Sequence, residues 1–233
     1  MQSLRTQDSI DGVKVLIVGA NGRVGTLLSG QMWSVTGFSP IALIRDPRQQ
    51  TKFTALGVPS VVGDLEKGLS GFLPGLDTVV FTAGSGPHTG PDKTIEVDQD
   101  AAIRLIDDCK QSGVSRFVMI SAIGADPLSE SPRLQNYLRA KGRADDYLRS
   151  SNLDYTILAP GTLLNGLGTG MIEAAQELGG HGTLPREDLA QSIIEVLRNY
   201  NTVGKTIQMI SGKDLIKKAI ANASGGDALP PIL

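Results

Sequence analysis

Apolar positions along this chain fall into short dense runs, and between the runs they recur at helical spacing. The first run, Val13-Lys14-Val15-Leu16-Ile17-Val18-Gly19, is nearly continuous, the pattern of a strand buried on both faces of a parallel sheet. Further strands are predicted at Ile41–Ile44, at Val58 with Val61 and Val62, at Thr78–Phe81, at Arg116–Ile120 and at Tyr155–Leu158. The intervening stretches 23–33, 48–56, 93–112 and 134–151 read as helices. In the third, Ile95, Ala102, Leu105, Ile106 and Cys109 form one apolar stripe. Strand–helix–strand repetition predicts an α/β fold built on a doubly wound parallel sheet of the Rossmann type, because parallel neighbours need crossover helices.

The pattern loosens after residue 160. Gly161–Gly182 is rich in glycine and poor in strand signal, and reads as a mobile flap with a helix near 171–178. A helix over Pro185–Asn199, a strand over Lys205–Ile210 and a last helix over Asp214–Ala223 follow. Together these form a small C-terminal lobe on the substrate side. A chain of 233 residues is expected to make one domain, with flexible tails at 1–12 and 224–233.

Composition narrows the function. A net charge of −2 without runs of like charge argues against nucleic acid or an acidic membrane as partner. Cys109 is the only cysteine, so an internal disulfide and a cysteine metal cluster are excluded, and its helical setting suggests a half-buried, inert thiol. The two histidines, His88 and His181, lie far apart beside glycine or proline, which disfavours metal catalysis. Residues 1–12 lack an apolar signal core and no run approaches membrane-spanning length, so a cytoplasmic location is expected.

The strongest chemical signal is Gly19-Ala20-Asn21-Gly22-Arg23-Val24-Gly25, which leaves the first strand and opens a helix. Glycines there permit a sharp turn and close approach of a diphosphate, while the helix presents free N–H groups and its positive end. The second strand ends in Ile44-Arg45-Asp46-Pro47-Arg48. Arg45 and Arg48 suit the 2′-phosphate of NADP(H), whereas Asp46, turned inward, would suit the ribose of NAD(H). NADP(H) is preferred. Asp64 and Leu65 follow the third strand, where the carboxylate would accept the adenine amino group or cap the next turn. Small residues Thr82, Ala83 and Gly84 after the fourth strand let a cofactor pass close, although a plain turn has the same composition.

Tyr137 and Lys141 stand four apart on a predicted helix and so share a face. A neighbouring ammonium would lower the phenol's pKa and fit it for proton transfer; Ser121, ending the fifth strand, would donate a hydrogen bond to a substrate carbonyl. Such a pair also arises by chance.

Six stretches carry a family resemblance: GANGRVG at 19–25, IRDP at 44–47, RFVMISAIGA at 116–125, the long YLRAKGRADDYLRSSNLDYTILAPG at 137–161, PREDLAQSIIEVL at 185–197 and TVGKTIQMISG at 202–212. From about Val13 to Gly212 the chain resembles the atypical short-chain dehydrogenase/reductases, the NmrA-like and flavin-reductase-like NAD(P)-binding proteins. The resemblance implies a pyridine nucleotide at Gly19–Gly25, Arg45 near the 2′-phosphate, Lys141 on the nicotinamide ribose, and Pro160, Gly161 and Thr162 beside the nicotinamide ring. Relatives usually carry Arg before that Pro-Gly; here Ala159 stands there. The implied activity is NAD(P)H-dependent reduction of a small carbonyl, quinone or flavin-like molecule, in a pocket walled by Ser85–Pro91, Ala122–Ser131 and Leu163–Met171. Alternatives are a redox-sensing module with a protein partner and, last, a nucleotide-sugar epimerase or dehydratase.

Overall fold

A computed structural model describes residues 12–84 and 91–226, so the tails and most of the Ser85–Pro91 pocket wall, with His88, lie outside the described residues. The opening apolar run forms β1 (Val13–Val18), and the glycine turn leads into α1 (Arg23–Trp33). β2 (Phe38–Ile44), α2 (Gln50–Ala55), β3 (Ser60–Val62) and β4 (Thr78–Phe81) follow, with Val58 buried ahead of β3 but outside it. Next come α3 (Pro91–Thr94), a π-helical turn Ile95–Asp100, α4 (Ala101–Ser112) and β5 (Arg116–Ile120). α5 (Gln135–Arg149) and β6 (Asp154–Pro160) complete the predicted core.

The main sheet has nine strands, and its first six run 3-2-1-4-5-6, all parallel. This is the doubly wound order. Each central strand is buried on both faces, and adjacent residues go to opposite sides. Val15 and Ile17 of β1 enter one apolar cluster, and Leu16 and Val18 enter the other. α4 and α5 cover the second cluster, whereas α1, α6 (Arg186–Arg198) and α7 (Ile216–Ser224) cover the first. Cys109 is wholly buried rather than half-buried, and burial, with Asp108 nearby, pushes its thiol up to about 12. It is inert.

The C-terminal third departs from expectation in two places. Residues 171–175 form a strand, β8 (Met171–Ala175), where a helix was expected. β8 runs antiparallel to β10 (Lys205–Ser211), which itself continues the parallel sheet beside β6. Ala174 and Ala175 favour a helix in isolation, but pairing with β10 supplies the backbone bonds that decide the outcome. The last helix begins two residues late because Asp214 and Leu215 form β11 against β8. The C-terminal strands therefore extend the main sheet; the small addition beyond it is the two-stranded pairing of β7 (Thr162–Leu164) with β9 (Thr183–Pro185).

Candidate active site

The carboxyl ends of β1, β2, β3 and β4 open on a cleft of about 490 Å³. Its floor is backbone. Gly19 turns through φ +84°, and a Cβ there would lie 2.5 Å from the Ala83 nitrogen; one on Gly25 would lie 2.4 Å from the Gly19 oxygen. Only glycine fits either place. α1 then begins with no capping side chain and no acidic residue in its first turn. Helical geometry leaves the amides of Arg23, Val24 and Gly25 without acceptors inside the helix. Asn21 is held from the side, its carbonyl and amide oxygens accepting from the Lys52 ammonium at 3.3 and 3.1 Å. An open helix end above a glycine floor fits a diphosphate.

The far wall of the cleft is made by Leu43, Arg45, Gln49, Asp64 and Leu65. Arg45 is exposed, and among the described residues its guanidinium makes no hydrogen bond or ion pair. Arg48 behaves differently. Its Nε donates to both Asp46 oxygens, at 3.0 and 2.8 Å, and its backbone N–H donates to Asp46 as well. Asp46 thus caps the turn Pro47–Gln49, and the Arg48 guanidinium holds its carboxyl below the usual range. Neither residue lines the cleft. Gln49 completes a capping box, its Oε1 accepting from the Asp46 amide at 3.4 Å. Asp64 caps the next turn, accepting from the Glu66 amide at 3.1 Å, and it also lines the cleft.

Past Thr82, Ala83 and Gly84 the construction changes from backbone to side chains. Lys141 is buried; its ammonium lies 3.0 Å from an Asp98 oxygen and donates to the Ile120 carbonyl at 3.0 Å. The same ammonium sits 5.8 Å from the Phe81 ring centre and 6.0 Å from that of Tyr137. Burial is the largest single influence and would lower the lysine pKa, but Asp98, Tyr137 and Asp145 together outweigh it and hold the ammonium charged, above its ordinary value. Ser121 is buried beneath Asp145 and donates its hydroxyl to that carboxylate at 2.6 Å. Burial raises Asp145 to about 6, against the opposing pull of Ser121 and Lys141.

Two sequence expectations are corrected here. The phenol of Tyr137 is raised, not lowered: burial dominates, and Asp98 and Asp145 oppose the ammonium. Ser121 spends its hydroxyl proton on Asp145 and so presents lone pairs, not a donor, while that carboxyl is ionised. The Tyr137 hydroxyl itself has no hydrogen-bond partner among the described residues.

Pro160 ends β6 buried, and its carbonyl accepts from Ile123 at 3.1 Å. Gly161 and Thr162 turn into β7, where Thr162 donates its amide to the Gly182 carbonyl at 2.9 Å and leaves its side chain exposed. Ala159 is buried within the sheet.

Asp98 and Asp145 are the functional candidates that motif reasoning missed. Both had a signal, since each is a carboxylate on an otherwise apolar helical stripe. Asp98 precedes Ala102, Leu105 and Cys109, and Asp145 lies between Leu138 and Leu148. The π-helical turn that carries Asp98 is the kind of irregularity that often accompanies sites.

Fold, glycine floor and open helix end together define a Rossmann-type dinucleotide-binding protein. The chain belongs to the NAD(P)H-binding family whose model matches residues 19–200, so its cofactor is a nicotinamide dinucleotide. It is 35% identical over 212 residues to the uncharacterized sugar epimerase YhfK of Bacillus subtilis, covering 89% of this chain and 99% of that protein. A structure from Bacillus halodurans, provisionally described as an NAD-dependent epimerase/dehydratase, superposes with a TM-score of 0.85 at 39% identity, covering 91% and 100% of the two chains. The oxidoreductase ylbE of Lactococcus lactis follows at 0.78 and 30%, covering 92% and 98%. No helix among the described residues is long and apolar enough to cross a membrane.

Proposed function

We propose that the chain is an NADPH-dependent oxidoreductase that reduces a small carbonyl, quinone or flavin-like acceptor, with Tyr137 as the proton donor. The observation that carries this reading is a half-buried, protonated phenol whose hydroxyl has no hydrogen-bond partner among the described residues, ranged beside a buried ammonium on one face of α5. A tyrosine kept protonated is an acid ready to meet negative charge developing on a substrate oxygen. The nicotinamide supplies the hydride when bound. Lys141, fixed by Asp98 and the Ile120 carbonyl, orients the phenol and keeps a positive charge behind it. Ser121, its proton turned to Asp145, offers lone pairs to a nicotinamide carboxamide or ribose hydroxyl. NADP(H) is favoured over NAD(H) because Arg45 faces the cleft with no hydrogen-bond or ion-pair partner among the described residues, while Asp46, the carboxylate that follows β2, is occupied by Arg48.

The test is NADPH oxidation followed at the cofactor's own absorbance across carbonyl, quinone, flavin and azo acceptors. Tyr137→Phe is expected to lower turnover by about a hundredfold, in the usual range for a lost general acid, with NADPH affinity little changed. Equal rates for both proteins would remove Tyr137 from the chemistry.

The names of two relatives, one a sugar epimerase and one an NAD-dependent epimerase/dehydratase, favour a second reading, an epimerase. An epimerase returns its hydride to the substrate, so it would interconvert a nucleotide sugar without net loss of reduced cofactor. Among the described residues the chain beyond β6 adds β7–β11, α6 and α7, a small platform for a nucleotide sugar.

A further inference from the structure

α6 crosses from β9 to β10, and β10 lies parallel to β6, so α6 starts at the same sheet edge as α1 and packs beside it. Both helices begin with arginine, Arg23 and Arg186. The two guanidinium groups converge on one neutral atom, the Asn165 Oδ1, to which Arg23 donates at 3.1 Å and Arg186 at 3.0 Å. Arg186 also donates to the Leu163 carbonyl at 2.9 Å. No carboxylate among the described residues pairs with either one. Those at hand, Glu187 and Asp188, are turned to the backbone of the next loop: Gly168 donates to Glu187 at 2.7 Å, and Thr169 and Gly170 donate to Asp188 at 3.0 and 2.9 Å. Each arginine retains unused N–H donors in a forked array. Two like charges held against one amide oxygen repel each other; burial and Arg23 both push the Arg186 pKa below its ordinary value.

An arrangement that tolerates this repulsion is completed by an anion, which would be bidentate to either fork and would face two helix N-termini. The place of the pair decides what the anion belongs to. Arg45 and Asp64 lie on the β2 and β3 side of the glycine floor, whereas Arg23 reaches the opposite way, toward α6 and the loop after β7. Along the sheet that is the side of β5 and β6, whose carboxyl ends carry Ser121 and Pro160; Tyr137 stands on α5, across the sheet from α1 and α6.

We propose that Arg23 and Arg186 form an anion subsite that clasps a carboxylate or phosphate carried by the substrate. The proposal rests on the oxidoreductase reading only for the nature of the molecule bearing the anion. Leu164 and Leu167, which flank Asn165 in the sequence, are exposed, so the anion is expected at the end of a largely apolar molecule.

The direct test uses 4-(phenylazo)benzoate and its methyl ester, titrated into the full chain saturated with NADP+, which holds no hydride and permits no turnover. The acid is expected to bind at least about tenfold more tightly than the ester. Arg186→Gln should erase that difference while NADP+ affinity stays within about twofold. Arg186→Lys, which keeps the charge but not the fork, should retain part of the difference and shows that loss in the glutamine variant is not misfolding. Phenyl phosphate is expected to displace the acid. Equal or absent binding of acid and ester overturns the subsite. So does a Gln variant that loses NADP+ affinity while keeping the acid–ester ratio, which would assign the guanidinium to the cofactor's own diphosphate. If the binding difference stands but neither dye accepts hydride from NADPH, and no other acceptor does, only the oxidoreductase reading fails.

Discussion

The two ends of the cleft are built from different materials. The end below β1, β2 and β3 is backbone: a glycine turn, an uncapped helix start and one unpartnered arginine at the rim. The end beyond β4 is side chains: a buried ammonium on a buried carboxylate, and a serine pinned to a second carboxylate. Backbone donors need no charge of their own and cost little to leave exposed to water. Buried ions must be matched, because an unmatched one costs several kcal/mol. The first end is therefore a receptor that tolerates being empty. The second is a preassembled electrostatic device whose parts depend on one another.

That contrast can be broken most sharply at the ion pair. Lys141→Met leaves Asp98 buried without its cation and is expected to cost about 3–5 kcal/mol in urea unfolding. Replacing Asp98 by Leu in the same chain should recover much of the loss, since an apolar pair avoids the desolvation penalty. If Lys141→Met is neutral, the pair is not buried as described.

Asp145 gives the next largest effect, and its sign is set by its raised pKa. The native state holds this proton more tightly than the unfolded chain does, from an ordinary 3.8 to about 6. Its contribution is therefore complete below about pH 4 and is lost as pH rises through about 6, so stability falls across that window. Asp145→Asn should abolish that slope, a difference of no more than about 3 kcal/mol between the two proteins. An unchanged slope in the variant would place the titration elsewhere.

The receptor end should respond in affinity and not in stability. Arg45→Ala is expected to weaken NADPH by about 1.5–3 kcal/mol, the usual value of a hydrogen bond to a charged group, and to leave NADH nearly unaffected. Unfolding should be nearly unchanged, since the exposed guanidinium makes no hydrogen bond or ion pair among the described residues. Equal losses for both nucleotides would remove the 2′-phosphate from its reach.

The same difference explains what was legible beforehand. Backbone-built features have local signatures. Glycine spacing, an apolar strand before it and Arg45 one residue past β2 all stand in adjacent letters. Asp98 and Lys141 are separated by β5 and by the loop that precedes α5, and only the sheet brings them together. A lysine read alone is taken to lower its neighbour's pKa; the carboxylates that cancel it are invisible until the fold is drawn. Asp46 shows the reverse hazard: the Asp46-Pro47-Arg48-Gln49 spacing fits a capping box, while the sequence reading weighs only a ligand role for it. At β8 the local letters favoured a helix, and a strand partner some thirty residues away decided otherwise.

All of this turns on a diphosphate seated over Gly19 and Gly25. Calorimetric titration of NADPH, NADP+ and NADH into the whole chain measures that directly. The account predicts one site per chain, with both phosphorylated forms binding more tightly than NADH. Heats indistinguishable from dilution for all three nucleotides would contradict it.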